Sequence, residues 1–439
     1  MDHAPAKFAV RGQTLAFRGD PFLVAPEDAV AFDSDGAVVV ENGTIAETGP
    51  AGEILAKHPG IAVEHYAQDL IMAGFVDCHV HYPQCEVIAS YGEQLLEWLN
   101  RYTFPAEQKF ADPDYARGVA EHFLDEALRN GTTTASVYCT VHPESVDAFF
   151  AAAELRGLRM AAGKMMMDRN APSALLDTAQ TGYDQSKALI ARWHGRSRLT
   201  YVVSPRFAPT STPEQLEAAG TLWREHPDAL VQTHLSENPR EIAWVRSLYP
   251  DAPDYFGVYE RYGLTGRGSN FGHAVHLTDR ERAAFRATGS GISHCPTSNA
   301  FLGSGLFDMK GLREGRSDVP VGLATDIGGG SSLSMFQTMR SSYEICRLAG
   351  YSLHPAKAYY LATVGSATVM HLADRIGNLL PGHEADFIVI DLRSRPQIAR
   401  RMDTAADLWE MLFVQMIMAD DRAIRATYAG GRKVYARSG

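Results

Sequence analysis

The middle of the chain alternates between apolar runs and segments with apolar residues at helical spacing. One such segment is YARGVAEHFLDEALRNG, in which Gly131 supplies the expected C-terminal stop. This alternation is typical of βα units and a parallel sheet. The apolar runs give eight candidate strands: IMAGFVDCHVH, TTTASVYC, RMAAGKMMM, LTYVVSPRF, ALVQTHLSE, NFGHAVH, GISHCP and VPVGLATD. Eight strands predict a closed (β/α)8 barrel, whose site lies at the C-terminal ends of the strands.

Both ends of the chain instead carry short runs that are typical of β-hairpins. AVVVENGTIAETG has Asn-Gly between apolar runs, EADFIVIDL reads as a further strand, and AIRATYAGGRKVYA has Gly-Gly at its turn. Each end is too small to bury a core alone, so we expect the two ends to pack together. The sequence therefore predicts an α/β protein with a distorted, TIM-like (β/α)8 barrel over residues 73–383. A composite β-sandwich domain would be formed by residues 1–72 together with residues 384–439.

Composition narrows the class of partner. The 439 residues are 45% hydrophobic and 21% charged, with a formal net charge of -11, which argues against a nucleic-acid surface. No run of about 18 apolar residues occurs, so we expect no membrane span. The start, MDHAPAKFAV, lacks a charged-then-apolar leader pattern, and we expect a cytoplasmic protein. The five cysteines form no CxxC pair, which argues against a disulfide framework or a structural zinc knuckle.

Polar residues of ligand type end most of the predicted strands. His79 and His81 share one face of the first strand, so both imidazoles can reach one ion. Taken alone, this pair fits equally well a half-buried strand whose histidines are satisfied by hydrogen bonds. The other strand ends carry Arg206, Phe207, His234, Glu237, His273, His294 and Asp326. Because these ends converge in a barrel, and because buried His and Asp need partners, the joint pattern favours a metal site.

The donor types predict one metal ion per chain. Three imidazoles and a carboxylate suit zinc or a similar divalent metal. The predicted donors are His79, His81, His234 and Asp326. Barrel hydrolases with two metals use a modified lysine on strand 4, but that predicted strand ends in Ser-Pro-Arg-Phe. Lys164 lies on the third predicted strand, where we expect a structural charge near the barrel rim.

Three further histidines are judged by their positions. His273 lies deeper in its strand than His276, so we take His273 as functional and His276 as structural. We expect His294 to line the mouth of the barrel without binding the metal.

A different zinc deaminase design uses H-x-E followed by P-C-x-x-C. His142 begins an H-x-E stretch, but no Pro-Cys pair occurs in the sequence, which excludes that design.

Five motifs in this order resemble the amidohydrolase superfamily, in its mononuclear purine and pyrimidine deaminase branch: HVH, THLSE, GHAVHL, HCPTSN and ATDIGGG. Further stretches resemble the guanine deaminases, among them HYPQ, YGEQLLEWLNRYTFPAE, KMMMDRNAP, SPRFAPTS, EIAWVRSLYP, FLGSGLF and LPGHEADFIV. The match runs from about residue 74 to about residue 390. It implies a zinc-dependent hydrolase with one Zn²⁺ per chain, Fe²⁺ being the alternative, and a homodimer. It also implies deamination of guanine to xanthine and ammonia, by a metal-activated hydroxide that attacks C2.

The resemblance further implies roles for nine residues. The metal positions are His79, His81, His234 and Asp326. The catalytic positions are Glu237, His273 and Asp326, with Glu237 as the proton shuttle. The substrate-binding positions are Gln84, Arg206, Phe207, His234 and Asp326. Their chemistry agrees, because a guanidinium suits a carbonyl such as O6, an aromatic ring offers a face to the purine, and an amide can donate and accept at its edge.

Two alternatives remain open at this stage. A related barrel hydrolase could act on another purine, a pterin or a triazine with the same metal residues. A non-catalytic relative could keep the barrel as a binding module. Such a relative would be expected to have lost ligands, and none of the expected ligands is missing from the sequence.

Overall fold

A computed structural model of the protein describes residues 7–91, 94–316 and 318–438. Residues 1–6, on which part of the expectation of a cytoplasmic protein rests, lie outside this range. The described strands are β1 (Lys7–Phe17), β2 (Val30–Glu41), β3 (Thr44–Pro50), β4 (Val63–Ala73), β5 (Phe75–His81), β6 (Thr132–Tyr138), β7 (Arg159–Gly163), β8 (Met165–Met166), β9 (Leu199–Pro205), β10 (Leu230–Leu235), β11 (Ser269–His273), β12 (Gly291–His294), β13 (Val321–Leu323), β14 (Phe387–Ile390), β15 (Ile424–Ala429) and β16 (Arg432–Ala436).

The α-helices connect these strands and cover the barrel. In chain order they are α1 (Pro26–Ala29), α2 (Ala51–Lys57), α3 (Leu95–Trp98), α4 (Phe104–Glu107), α5 (Pro113–Arg129), α6 (Pro143–Arg156), α7 (Ala179–Trp193), α8 (Pro213–Glu225), α9 (Pro239–Leu248), α10 (Tyr255–Arg261), α11 (Asp279–Thr288), α12 (Pro296–Phe301), α13 (Met309–Arg313), α14 (Met335–Leu348), α15 (Pro355–Tyr360), α16 (Ser366–Val369), α17 (Pro396–Met402) and α18 (Leu408–Met418). Two π-helical segments span Leu99–Thr103 and Leu361–Gly365, and 3₁₀ turns span Tyr82–Val87, Gln108–Ala111, Ser173–Leu175, Ala208–Thr210 and Asp421–Ala423.

Eight parallel strands form a nearly closed barrel. Their order is β5, β6, β7, β9, β10, β11, β12 and β13, which confirms all eight predicted strands. Side chains and single hydrogen bonds join the last strand to the first. The Asp77 carboxylate accepts a hydrogen bond from the Thr325 N–H at 3.1 Å, and the Asp326 N–H donates to the His79 carbonyl at 3.0 Å. The junction between β13 and β5 is therefore irregular, in agreement with the predicted distorted barrel.

Helix α5 illustrates how the sequence sets the outer layer. Its cap residue Asp112 accepts hydrogen bonds from the N–H groups of Asp114 and Tyr115 at 2.9 and 3.4 Å. The apolar residues that recur at helical spacing form its buried face. Gly131 has φ 80°, a left-handed conformation that glycine adopts without strain, and it turns the chain into β6.

The two ends of the chain form one composite sheet, as predicted. Its order is β16, β15, β14, β4, β1, β2 and β3, hydrogen-bonded as one continuous sheet in which β1 and β4 are parallel. The Asn42-Gly43 turn has φ 52° and 79°, and the Gly430-Gly431 turn has φ 53° and 74°. Both turns therefore have two positive φ angles, typical of type I′ hairpins. The predicted domain limits, residues 72/73 and 383/384, remain a prediction, and α17 and α18 follow β14 in the C-terminal part.

In the described residues, no helix has the length and apolar character that a bilayer span requires.

A partly buried ion-pair network joins the barrel to the composite sheet. Arg198, which precedes β9, donates through Nε to Glu384 Oε2 at 2.8 Å and through Nη2 to Asp386. Arg159 on β7 donates through Nε to the same Glu384 oxygen at 2.6 Å. The Asp386 carboxylate is almost fully buried and also accepts a hydrogen bond from the Gly430 N–H at 2.7 Å. Removing the guanidinium would leave that carboxylate without its counter-charge.

We therefore predict that Arg198→Met lowers the free energy of unfolding by about 3 kcal/mol, since breaking a buried pair leaves an uncompensated charge. Urea denaturation followed by tryptophan fluorescence measures the loss. The control is Arg196→Met, because Arg196 pairs with Glu154 on the surface, where such a pair contributes about 1 kcal/mol or less. Equal losses for the two variants would contradict a special role for the partly buried network.

Candidate active site

Three histidines and one aspartate meet at the C-terminal end of the barrel. His79 and His81 lie on β5, His234 lies on β10, and Asp326 follows β13. The Nε2 atoms of His81 and His234 are 3.1 Å apart. Asp326 Oδ1 lies 3.4 Å from His79 Nε2 and 3.5 Å from His81 Nε2. Asp326 thus lies beside His79 and His81, and His81 lies beside His234, so the four side chains predicted as metal donors form one cluster.

The donor set fits a divalent metal ion. Tetrahedral donors at 2.0–2.1 Å from zinc are about 3.3 Å apart, close to the spacings found here. Both ring nitrogens of His79 and Nδ1 of His81 are buried without a hydrogen-bond partner among the described residues. His234 Nδ1 lies 2.6 Å from the Arg206 carbonyl and donates to it, so the lone pair of His234 Nε2 faces the cluster. A buried group without a partner is costly, and a metal would satisfy His79 Nε2, the ring nitrogen that faces Asp326.

Burial sets the charge state of the cluster. It lowers the pKa of His79, His81 and His234, so these imidazoles are neutral, as metal binding requires. Burial acts to raise the pKa of Asp326, but the favourable interactions with the nearby His79 and His273 outweigh it and lower that pKa to about 2. The cluster therefore presents neutral nitrogens and one carboxylate.

A second, overlapping donor set includes a residue that the sequence did not suggest. Donor atoms of His79, His273, Cys295 and Asp326 lie within 4.8 Å of one another, as do those of His79, His81 and His234. Cys295 follows β12, and its thiol donates to the Ser293 carbonyl at 3.4 Å. Burial also raises the pKa of this thiol, whereas the thiolate is the metal-binding form. The set with His81 and His234 therefore fits a metal better.

Glu237 and His273 form an acid–base pair beside the cluster. Glu237 Oε2 lies 3.5 Å from His273 Nε2, and Asp326 Oδ2 lies 3.7 Å from the same nitrogen. Burial acts to lower the pKa of His273, but these two carboxylates outweigh it and the pKa is raised. Burial raises the pKa of Glu237. Ser304 Oγ donates to Glu237 Oε1 at 2.9 Å, and Asn299 Oδ1 accepts from His273 Nδ1 at 2.9 Å, so both side chains are held in place.

A cavity opens above these groups. Its polar lining consists of His81, Gln84, Arg206, His234, Glu237, His273 and Asp326, and its apolar lining of Leu95, Trp98, Leu99, Phe207 and Leu302. Leu95, Trp98 and Leu99 belong to the segment 94–111, which follows β5 and is here called the covering segment. A cavity in which apolar side chains face convergent polar groups is typical of a small-molecule site.

The polar end of the cavity is organised by Glu107, at the end of α4 in the covering segment. Arg206 Nη1 donates to Glu107 Oε1 and Oε2 at 2.9 and 2.8 Å. Gln84 Nε2 donates to Glu107 Oε1 at 3.2 Å. All three side chains are buried. The two residues predicted to contact the substrate edge are thus held by one carboxylate.

The structure brings all nine predicted site residues together, but it corrects one other expectation. His294 is not among the residues that line the cavity; it is buried, and its ring stacks on Phe307 with centroids 4.3 Å apart. Lys164 directly follows β7, is fully buried and pairs with Asp177 at 2.5 Å, so it is a structural charge. His276 lies outside the cavity lining, and its Nε2 donates to the Ser304 carbonyl at 2.7 Å.

Four residues of the site were missed from the sequence. Besides Glu107, Asn299 and Cys295, Glu241 is buried and accepts a hydrogen bond from the Glu237 N–H at 2.9 Å. None of the four lies at a predicted strand end with a side chain on the face expected to line the mouth of the barrel. The capping-box spacing of Asn238 and Glu241 at the start of α9 was a usable signal for the last of them.

Comparisons with known proteins agree with this geometry. The profile described as "Amidohydrolase family" matches residues 70–434, and "Imidazolonepropionase-like composite domain, bacteria" matches residues 36–60. The "Guanine deaminase" of Escherichia coli (strain K12) is 50% identical over 411 residues, which cover 93% of each chain. The "Probable guanine deaminase" of Deinococcus radiodurans is 38% identical over 435 residues, covering 97% of this chain and 98% of that one.

Solved structures give the same result. The structure titled "E. coli Guanine Deaminase" superposes with a TM-score of 0.96 at 48% identity, covering 98% of this chain and 100% of that chain. The guanine deaminase of C. acetobutylicum, solved with bound guanine, has a TM-score of 0.87 at 27% identity, covering 98% and 100% of the two chains. These findings confirm the resemblance seen in the sequence: the chain belongs to the amidohydrolase family, among its guanine deaminases.

Proposed function

We propose that this protein hydrolyses guanine to xanthine and ammonia. The observation that carries the proposal is one cavity that combines a metal-type donor cluster, the Glu237–His273 pair and the hydrogen-bond donors of Arg206. The 50% identity to a protein named guanine deaminase supports the choice of guanine. The homodimer expected from the resemblance belongs to the same proposal.

We infer that His79, His81, His234 and Asp326 hold one divalent ion per chain, zinc first and iron(II) second. The four donors suit such a metal in number and type. When bound, the ion acts as a Lewis acid that makes water nucleophilic near neutral pH. The remaining chemistry falls to the side chains around the cluster.

The protein groups move the protons of the reaction. Water adds to C2 of guanine, and Asp326 accepts the proton that the water releases. Glu237 donates a proton to N3, regains the proton held by Asp326 and gives it to the amino group, which departs as ammonia. The C2 hydroxyl then returns its proton to Glu237 as the carbonyl of xanthine forms. His273 donates a hydrogen bond at the reacting centre, because its Nε2 faces both carboxylates.

The substrate is held by its flat faces and by its far edge. Phe207 offers a ring to the purine. Arg206 has donors and no acceptor, so it suits O6 of guanine and leaves the C6 amino group of adenine unpaired. This distinction supports guanine over adenine derivatives.

A panel of heterocycles tests the proposed function. The purified, metal-loaded protein is assayed for ammonia release from guanine, adenine, a pterin and a chlorotriazine, with xanthine identified by chromatography. We expect kcat/KM for guanine to exceed that for adenine by at least about 10²-fold. Turnover of another member of the panel without turnover of guanine would replace the proposed substrate.

The proton shuttle is tested by Glu237→Gln. We expect kcat for guanine to fall about 10²–10⁴-fold, because a general acid–base group of this kind contributes that much, while the metal content stays unchanged. Glu217→Gln is the control, since Glu217 lies on the surface and pairs with Arg224. A Glu237→Gln variant with parental kcat would assign the proton transfers to another residue.

Arg206→Ala tests whether Arg206 binds O6 of guanine. We expect kcat/KM for guanine to fall about 10²-fold or more, as a buried charge-assisted hydrogen bond to substrate is lost. The same change leaves Glu107 buried without its partner, so Arg206→Lys is made in parallel to keep the charge without the planar fork. Metal analysis accompanies the kinetics of both variants. Parental kinetics in Arg206→Ala would mean that another group binds O6.

A further inference from the structure

Glu107 is a buried carboxylate without a role in the chemistry described above. It lies on the covering segment rather than on the barrel, and its side chain is fully buried. Its two oxygens accept the hydrogen bonds from Arg206 Nη1 and Gln84 Nε2. It therefore joins the segment that closes the cavity to both residues of the polar edge.

The chemistry of a carboxylate orients the Gln84 side chain. An ionised carboxylate accepts hydrogen bonds and donates none, so Gln84 must turn its NH₂ group toward Glu107. Its Oε1 then faces away and accepts no hydrogen bond from the described residues. On that side the amide packs against Gly328, where an added Cβ would lie 2.1 Å from Oε1. The amide is thus held in one of its two orientations.

The same carboxylate leaves donors available on the guanidinium. Arg206 uses Nη1 for Glu107 and for Met165 Sδ, the latter at 2.9 Å. Among the described residues, neither Nε nor Nη2 of Arg206 has a partner, and the side chain lines the cavity. The edge consequently offers donors from Arg206 and an acceptor from Gln84.

We infer that Glu107 is a positioning residue that fixes this donor–acceptor order and so selects purines with a carbonyl at C6 beside an N–H at N1. The inference rests on the proposed function, since it concerns the edge of the same substrate. Guanine carries an acceptor at O6 and a donor at N1. 2,6-Diaminopurine has the same amino group at C2 but reverses both positions, with a donor at C6 and an acceptor at N1. The donors of Arg206 and the acceptor of Gln84 therefore match the hydrogen-bonding groups of guanine and face like groups in 2,6-diaminopurine.

Glu107→Gln tests this role because an amide both donates and accepts. Gln84 can then turn over, and Arg206 loses its counter-charge. Steady-state kinetics are measured with guanine and with 2,6-diaminopurine, together with metal content. We expect kcat/KM for guanine to fall by at least about tenfold and that for 2,6-diaminopurine to fall less, so that their ratio drops at least about tenfold. Glu107→Asp keeps the acceptor-only chemistry and is expected to retain more of the parental ratio.

Glu97→Gln is the matched control. Glu97 lies on the same covering segment but is exposed, where it pairs with Arg240 at 3.1 Å. Its removal should leave both kcat/KM values and their ratio at the parental level. If the substitutions only destabilised the covering segment, kcat/KM would fall equally for guanine and for 2,6-diaminopurine in either variant.

The outcomes separate this inference from the proposed function. If the parent protein turns over guanine but Glu107→Gln leaves the ratio of the two kcat/KM values unchanged, the role of Glu107 alone is overturned. An equal loss of kcat/KM on both substrates has the same consequence. An absence of guanine turnover by the parent overturns both. If Glu107→Gln does not fold, Gln84→Leu takes its place, because it removes the oriented acceptor. An unchanged ratio in Gln84→Leu would then overturn the inference.

Discussion

The close packing of three imidazoles and the Asp326 carboxylate is the constraint on which the site depends. A buried nitrogen without a partner is costly, so the surrounding strands must hold these side chains in place. The barrel provides that support from several strands. The Asp77 carboxylate accepts hydrogen bonds from both the N–H and the hydroxyl of Thr325 and so fixes the chain just before Asp326.

Backbone geometry around the cluster shows what this packing requires. His273 and Asp326 have φ of 69° and 46°, in the left-handed region that costs a non-glycine residue free energy. Gly272 lies against the His79 ring, and a Cβ added there would be 2.5 Å from His79 Cε1. Only glycine leaves room for the imidazole at that position. His273 and Asp326 both line the cavity, so part of the backbone strain lies at the site itself.

The sequence predicted the parts of the site that follow from strand periodicity. His79, His81, His234 and Asp326 were found because polar residues interrupt apolar strands at their C-terminal ends, and a barrel brings those ends together. Glu107 lies on a short helix, where no periodic pattern distinguishes a buried carboxylate from a solvated one. His294 ends its strand as the functional histidines do, yet it stacks on Phe307 and is not among the residues that line the cavity. Side-chain direction at a strand end depends on tertiary packing, which the sequence pattern does not contain.

X-ray absorption at the zinc edge tests the central claim most directly, on protein loaded with one equivalent of zinc. The four proposed donors contain only nitrogen and oxygen, whereas the overlapping set of His79, His273, Cys295 and Asp326 contains the sulfur of Cys295, and this measurement distinguishes the two. Zinc–nitrogen and zinc–oxygen distances are about 2.0–2.2 Å, whereas zinc–sulfur distances are about 2.3 Å. We expect nitrogen and oxygen neighbours alone, with the scattering pattern of imidazole. A sulfur neighbour near 2.3 Å would contradict the assignment of His79, His81, His234 and Asp326 as the metal site.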